Sequence, residues 1–133
     1  MKKEKITTTK AGQPSGAYSQ AIKVGNLVFT AGMAGSDPAT GKMVSPGNIH
    51  DQTIQTLKNL DAALNAAGTS LKNAVRIGAF IHDINEWATL NEAYKEFFAQ
   101  FGEMDMPART TISVGGFPEG MTVEIDVVAV IPD

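Results

Sequence analysis

The sequence predicts an α+β domain, a single mixed sheet in the order β-β-α-β-α-β-β with both helices packed on one face. Three observations carry this. Two stretches repeat apolar residues at spacings of three and four, as amphipathic helices do, and each is closed by a glycine. The runs around them are short and rich in β-formers, and several alternate with period two. The chain has 133 residues of which 43% are hydrophobic, so residues 1–133 form one domain able to bury a core. No repeat, linker or low-complexity tract divides it.

The elements follow in order. In SQAIKVGNLVFTAGMA two β-rich runs flank Gly25 and Asn26, a pair suited to the positive-φ positions of a tight hairpin turn. AGSDPATGKMVSPG is dense in Gly, Pro, Ser and Asp and is a loop. Asn48 caps a first helix with Asp51 in its first turn, and Ile49, Thr53, Leu57, Leu60, Leu64 and Ala67 form its stripe before Gly68. NAVRIGAFIHDI alternates, with Val75, Ile77, Ala79 and Ile81 on one face of a strand. Asn85 caps a second helix whose stripe is Trp87, Leu90, Tyr94, Phe97 and Phe101, stopped by Gly102. The last two strands, ARTTISV and the run from Thr122 to Ile131, turn at GGFPEG as a hairpin.

The final strand reveals what lies on the other face of the sheet. Val123, Ile125, Val127, Ala129 and Ile131 belong under the helices, leaving Thr122, Glu124, Asp126, Val128 and Val130 on the far side. That side begins acidic and ends apolar, and an open apolar sheet face marks a subunit interface, so a homo-oligomer is expected with the polar half lining a crevice at the contact. Alternation along ARTTISV sends Ile112 and Val114 toward the helices and Arg109, Thr111 and Ser113 to the far side. A hairpin centred between Phe117 and Pro118 then sets Thr111 opposite Glu124 and Arg109 opposite Asp126. Guanidinium and carboxylate would share one crevice, the first a bidentate receptor for a carboxylate or phosphate, the second an acid or base for a bound molecule or water. As a purely structural cross-strand pair on an exposed face they would contribute under about 1 kcal/mol, and the pattern alone leaves both roles open.

Composition excludes other chemistry. The formal charge is −3 with Lys and Arg scattered, which disfavours nucleic acid as a partner. The absence of cysteine removes disulfides, thiolate nucleophiles and Cys-ligated metals. Two histidines, His50 and His82, are too few for a metal site and fit surface or capping roles. Nothing approaches the roughly 20 apolar residues of a membrane span and the start MKKEKITTTKAGQ has no apolar h-region, so a soluble, cytoplasmic protein is expected.

GAYSQA, the hairpin leading to TAGM, DPATGKMV, the segment from AAGTSLKNAVRIGAF to NEAYKEFF and above all MPARTTISVGGFPEGMTVEIDVVAV resemble the RidA/YjgF family of imine deaminases along nearly the whole chain. The resemblance implies a chorismate-mutase-like fold, a homotrimer whose strands form a central barrel, and ligand sites in clefts between subunits. It implies hydrolysis of reactive enamine and imine acids, 2-iminobutanoate and 2-iminopropanoate, to keto acids and ammonia, without metal or organic cofactor. By the same resemblance Arg109 matches the arginine that grips the substrate carboxylate and Glu124 the acid associated with the attacking water. Tyr18 matches the tyrosine at the cleft, Gly32 a backbone contact beside Ala31, and Thr111 the position whose backbone carbonyl faces the site. Many deaminase members have Ser-Gly-Gln where this chain has Ala31, Gly32 and Met33, and a cysteine is frequent where it has Thr111. A methyl and a thioether in place of a hydroxyl and an amide point toward a bulkier or more apolar acid. The rival readings are a non-catalytic keto acid or amino acid binding regulator, and an endoribonuclease or translation inhibitor, activities also attributed to the family. The acidic net charge and the lack of paired acid and base histidines count against the last.

Overall fold

The Gly25 and Asn26 turn forms as expected: in a computed structural model describing residues 1–133, β2 (Ala21–Val24) and β3 (Leu27–Thr30) pair antiparallel across it. Gly25 alone of the two takes positive φ, at 59°, the geometry that matches the twist of the flanking strands. Asn48 caps α1 (Ile49–Ala66) by accepting from the Asp51 N–H at 3.0 Å, and Gly68 follows the helix end at φ 94°. The remaining elements are β4 (Ala74–Ile81), α2 (Trp87–Phe98), β5 (Ala108–Ser113) and β6 (Val123–Val130), preceded by β1 (Lys3–Ile6) at the N-terminus. The core gathers Leu57, Leu60 and Leu64 of α1, Leu90 of α2 and the inward side of β6, all fully or nearly fully buried. Each such side chain stabilises the fold by about 1.5–3 kcal/mol.

Four expectations are corrected. β1 was not foreseen, because KEKI is charged and offers only Ile6 to the core. It pairs with β2 at the sheet edge, where its lysines discourage further pairing. Val75 is not on the buried face: an irregularity between Ala74 and Arg76 in the pairing with β6 leaves Val75 45% exposed and gives its place to Ala74. Asn85 is not the cap of the second helix. Asp83 accepts from the Asn85 N–H at 2.9 Å and starts a 3₁₀ turn, Ile84–Glu86, that feeds α2.

The fourth correction matters most. The last two strands do not form a hairpin. Sheet order is β1-β2-β3-β6-β4-β5, so β4 lies between β5 and β6, parallel to the first and antiparallel to the second. Arg109 stands beside Ile77, which is fully buried under the helices, and Thr111 beside Ala79. Arg109, Thr111 and Ser113 therefore face the helices, and Ile112, level with Phe80 and Glu124, faces the open side. Alternation misassigned them because the apolar side of this edge strand, with Ile112, faces the open side and its polar side, Arg109, Thr111 and Ser113, faces the helices, the reverse of the usual polarity.

The open side stays apolar in part, with Phe29 43% and Ile112 47% exposed and Val128 and Val130 half-buried. His50 has a surface role, its Nε2 2.7 Å from Glu96 Oε2 and its Nδ1 3.3 Å from Asp51 Oδ1, and the two carboxylates raise its pKa, Glu96 most. No helix is long and apolar enough to cross a membrane.

Buried amides fasten the loops to this frame. Gln52 of α1 donates from Nε2 to the Gly120 carbonyl at 2.6 Å and to the Ser45 carbonyl at 3.2 Å, and its Oε1 accepts from the Thr122 N–H and hydroxyl at 2.9 Å. Leucine in its place removes all four bonds from their partly buried partners. Gln52→Leu should lower unfolding free energy by about 2–3 kcal/mol in denaturant titration, and a loss below about 0.5 kcal/mol would mean that the 120–122 segment is held by something else.

Candidate active site

Glu124 leaves the open side of β6 near the end of the sheet where the chain exits β3. Its neighbour there is Gly32, and the fit is close: a Cβ at Gly32 would stand 2.8 Å from Glu124 Cδ and Oε2, so only glycine lets the carboxyl lie against that backbone. Ala31 and Met33 flank the glycine and line the cleft, with Met33 bridged to Ile125 and largely buried. Tyr18, Phe117 and Met121 complete a cleft of about 350 Å³.

Its walls are pinned by buried amides. Gln20 accepts from the Thr8 N–H at 2.7 Å and donates to the Gly12 carbonyl at 2.8 Å, holding the loop that carries Tyr18. Asn59 donates to the carbonyls of Ala34 at 3.0 Å and Ser36 at 2.8 Å, fixing the opposite rim. The Tyr18 hydroxyl accepts from the Ser15 N–H at 3.1 Å and lies 3.3 Å from Ser15 Oγ, and these contacts lower its pKa. Either hydroxyl can donate in the contact with Ser15 Oγ, so the phenol can also turn its proton to an acceptor in the cleft.

Glu124 has no part in the chain's ion pairs, which join His50 to Asp51 and Glu96 and Lys95 to Glu92. Burial first, and then the charge of Asp126, raises its pKa above the ordinary glutamate range. An unpaired carboxyl with a raised pKa, beside a phenol and in a cleft, has the character of an acid or base group. No three His, Asp or Glu residues converge as a metal would need.

Arg109 lies elsewhere, on the helix side of β5, lining a shallow cleft of about 330 Å³ with Asn91, Tyr94 and Met106. Its Cζ stands 4.6 Å from the Tyr94 ring centroid and 5.5 Å from that of Trp87, and Nη2 donates to Asn91 Oδ1 at 2.9 Å. The Thr111 and Tyr94 hydroxyls are buried without partners, and burial pushes the Tyr94 phenol up to about 12, against the opposing charge of Arg109. Of the residues singled out from the sequence, Tyr18, Ala31, Gly32 and Glu124 thus come together, whereas Arg109 and Thr111 stand across the sheet. The expected crevice shared by Arg109 and Glu124 does not form within one chain, because β4 separates their strands and the register turns their side chains to opposite faces. Sequence reading missed Phe117 and Met121 as cleft walls and gave Trp87, 42% exposed, to the core, while Tyr94 is in the core as its stripe predicts and also faces Arg109. Only Asn91, an amide interrupting an apolar helical stripe, hinted at a polar partner there.

Fold and cleft define a small α+β domain that presents an unpaired carboxylate and a separate, aromatic-flanked arginine. Residues 8–131 match the family model described as Endoribonuclease L-PSP, and the chain belongs to that family, the RidA/YjgF proteins. It is 41% identical over 129 residues to a RutC family protein of Pyrococcus abyssi, covering 97% of this chain and 98% of that one. It is 39% identical over 125 residues to the 2-iminobutanoate/2-iminopropanoate deaminase of Rattus norvegicus, covering 94% and 88%. Among solved structures it superimposes on Escherichia coli TdcF with bound serine at a TM-score of 0.88 and 35% identity, covering 96% of this chain and 98% of that one.

The Glu124 environment has a direct test. Replacing Asp126 with asparagine removes the nearby negative charge, so the Glu124 carboxyl should titrate at lower pH by ¹³C NMR while staying above ordinary glutamate, since burial remains. An unchanged midpoint would leave burial as the whole cause.

Proposed function

We propose that this protein hydrolyses small 2-imino acids, 2-iminobutanoate and 2-iminopropanoate, to the 2-keto acid and ammonia, in a homotrimer whose sites lie between subunits. The observation that carries the reading is the unpaired, burial-shifted Glu124 beside Gly32 and Tyr18 in an open cleft. Relatives named for this reaction, such as the rat deaminase, and the serine-bound TdcF support a small carboxylate as ligand.

The geometry supports the assembly. Arg109 and Glu124 face opposite sides of one sheet, so a single chain does not offer both to one small molecule. A second copy, docked on the open apolar side that carries Phe29, Ile112 and Val128, brings its own Arg109 to the Glu124 cleft. The guanidinium forks the substrate carboxylate, which fixes the imine carbon and removes orientational entropy from the reaction. Tyr18 closes the cleft, Gly32 offers its backbone, and the Thr111 carbonyl helps hold water.

Glu124 as carboxylate accepts a proton while water oxygen bonds to the imine carbon, and the imine nitrogen gains a proton to give a carbinolamine. The C–N bond then breaks, the hydroxyl proton passes back through Glu124, and keto acid and ammonia leave. No electrons are exchanged. Ala31 and Met33 make the wall near the imine side chain apolar, which favours imines with apolar substituents. The family's endoribonuclease label gains no support from His50, which is engaged by Glu96 and Asp51.

Arg109→Ala should abolish acceleration of ammonia release from freshly generated 2-iminobutanoate while leaving fold and assembly intact. Glu124→Gln should bind 2-oxobutanoate near normally yet lower kcat by about 10²-fold or more, the range of a lost general base. Full activity in the first refutes the receptor role and full turnover in the second refutes the base.

A further inference from the structure

An arginine side chain samples many rotamers, and a receptor built on a free one loses that freedom whenever a ligand binds. In this chain the freedom is already removed. Trp87, Asn91 and Tyr94, spaced four and three apart, form a single stripe of α2 turned toward β5. Asn91 Oδ1 accepts from Arg109 Nη2 at 2.9 Å, and the guanidinium carbon lies over the Tyr94 ring at 4.6 Å and the Trp87 ring at 5.5 Å.

Packing accounts for Tyr94, which is 4% exposed and stacked on Phe98, but not for Trp87 and Asn91. Trp87 is 42% exposed on a helix whose Leu90, Ala93, Phe97 and Phe98 are buried, so its ring gains little from the core. Asn91 is an amide among apolar neighbours, and its oxygen is bound to the arginine. A planar cation held over aromatic rings, with a neutral amide on one nitrogen, keeps its full charge and leaves the rest of its donor edge for a carboxylate. An acidic residue at position 91 would orient the guanidinium as well but cancel its charge.

We infer that Asn91, supported by Trp87 and Tyr94, is a positioning residue that aims the Arg109 guanidinium and sets the affinity of the site for the substrate carboxylate. This rests on the reading of Arg109 as carboxylate receptor. Because the aimed grip acts on ground state and transition state alike, its loss appears in KM more than in kcat.

The test compares Asn91→Leu, Asn91→Asp and Arg109→Ala with the parent protein, by calorimetric titration with 2-oxobutanoate and by steady-state imine hydrolysis. Asn91→Leu should weaken 2-oxobutanoate binding about tenfold and raise KM by a similar factor, with kcat changed less than about threefold. Asn91→Asp, nearly isosteric and able to fold where leucine fails, should weaken binding further, because its carboxylate competes for the guanidinium. Parent-like affinity in Asn91→Asp, or in a folded Asn91→Leu, overturns the positioning role while loss of binding in Arg109→Ala keeps the receptor. Parent-like affinity in Arg109→Ala overturns the receptor reading itself.

Discussion

β4 pairs with β5 on one side and β6 on the other, and that placement decides where each charged group of the site ends up. A direct β5–β6 hairpin would have put guanidinium and carboxylate on neighbouring strands. With β4 inserted, parallel pairing sets Arg109 level with buried Ile77, and antiparallel pairing sets Glu124 level with Phe80 on the open side. The helix side of β5 gives the arginine aromatic rings and an amide. The open side of β6 gives the glutamate a glycine and a tyrosine. Each group is built where its chemistry is easiest to support, and in one chain the two face opposite sides of the sheet.

The same division accounts for the unusual use of polar residues in the interior. Gln20, Gln52 and Asn59 are almost fully buried, and each spends its amide on loop backbone around the Glu124 cleft. Buried amides with full partners fix loops more tightly than apolar packing does, because each broken bond strands a polar group away from water. The cleft is thus shaped by the chain itself, whatever a second copy is proposed to add to it. Asp126 acts at longer range, keeping Glu124 easier to protonate.

Much of this was legible in the sequence, and the failures have physical causes. Helical period and capping placed α1 to the residue, since Asn48, the leucine stripe and Gly68 all agree. Period two identified the inward side of β6, because Val123, Ile125, Val127 and Ala129 face a dry core against a half-polar surface. The same rule failed on β5, an edge strand that turns its polar side to the helices and its apolar side outward, and without its pairing partner the register was undetermined. Tyr18, Ala31, Gly32 and Glu124 were named from the family motif and do converge. Trp87 was hidden in a helical stripe that reads as core, since periodicity reports which face is turned inward and not what that face meets.

Complementation between two inactive chains tests the divided site most directly. Arg109→Ala retains Glu124 and Glu124→Gln retains Arg109, so oligomers assembled from a mixture contain some contacts with both groups intact. The two variants, each inactive alone, should recover imine hydrolysis after co-refolding, in proportion to mixed assembly measured by native mass spectrometry. Mixed oligomers that form and remain inactive would contradict a site shared between copies.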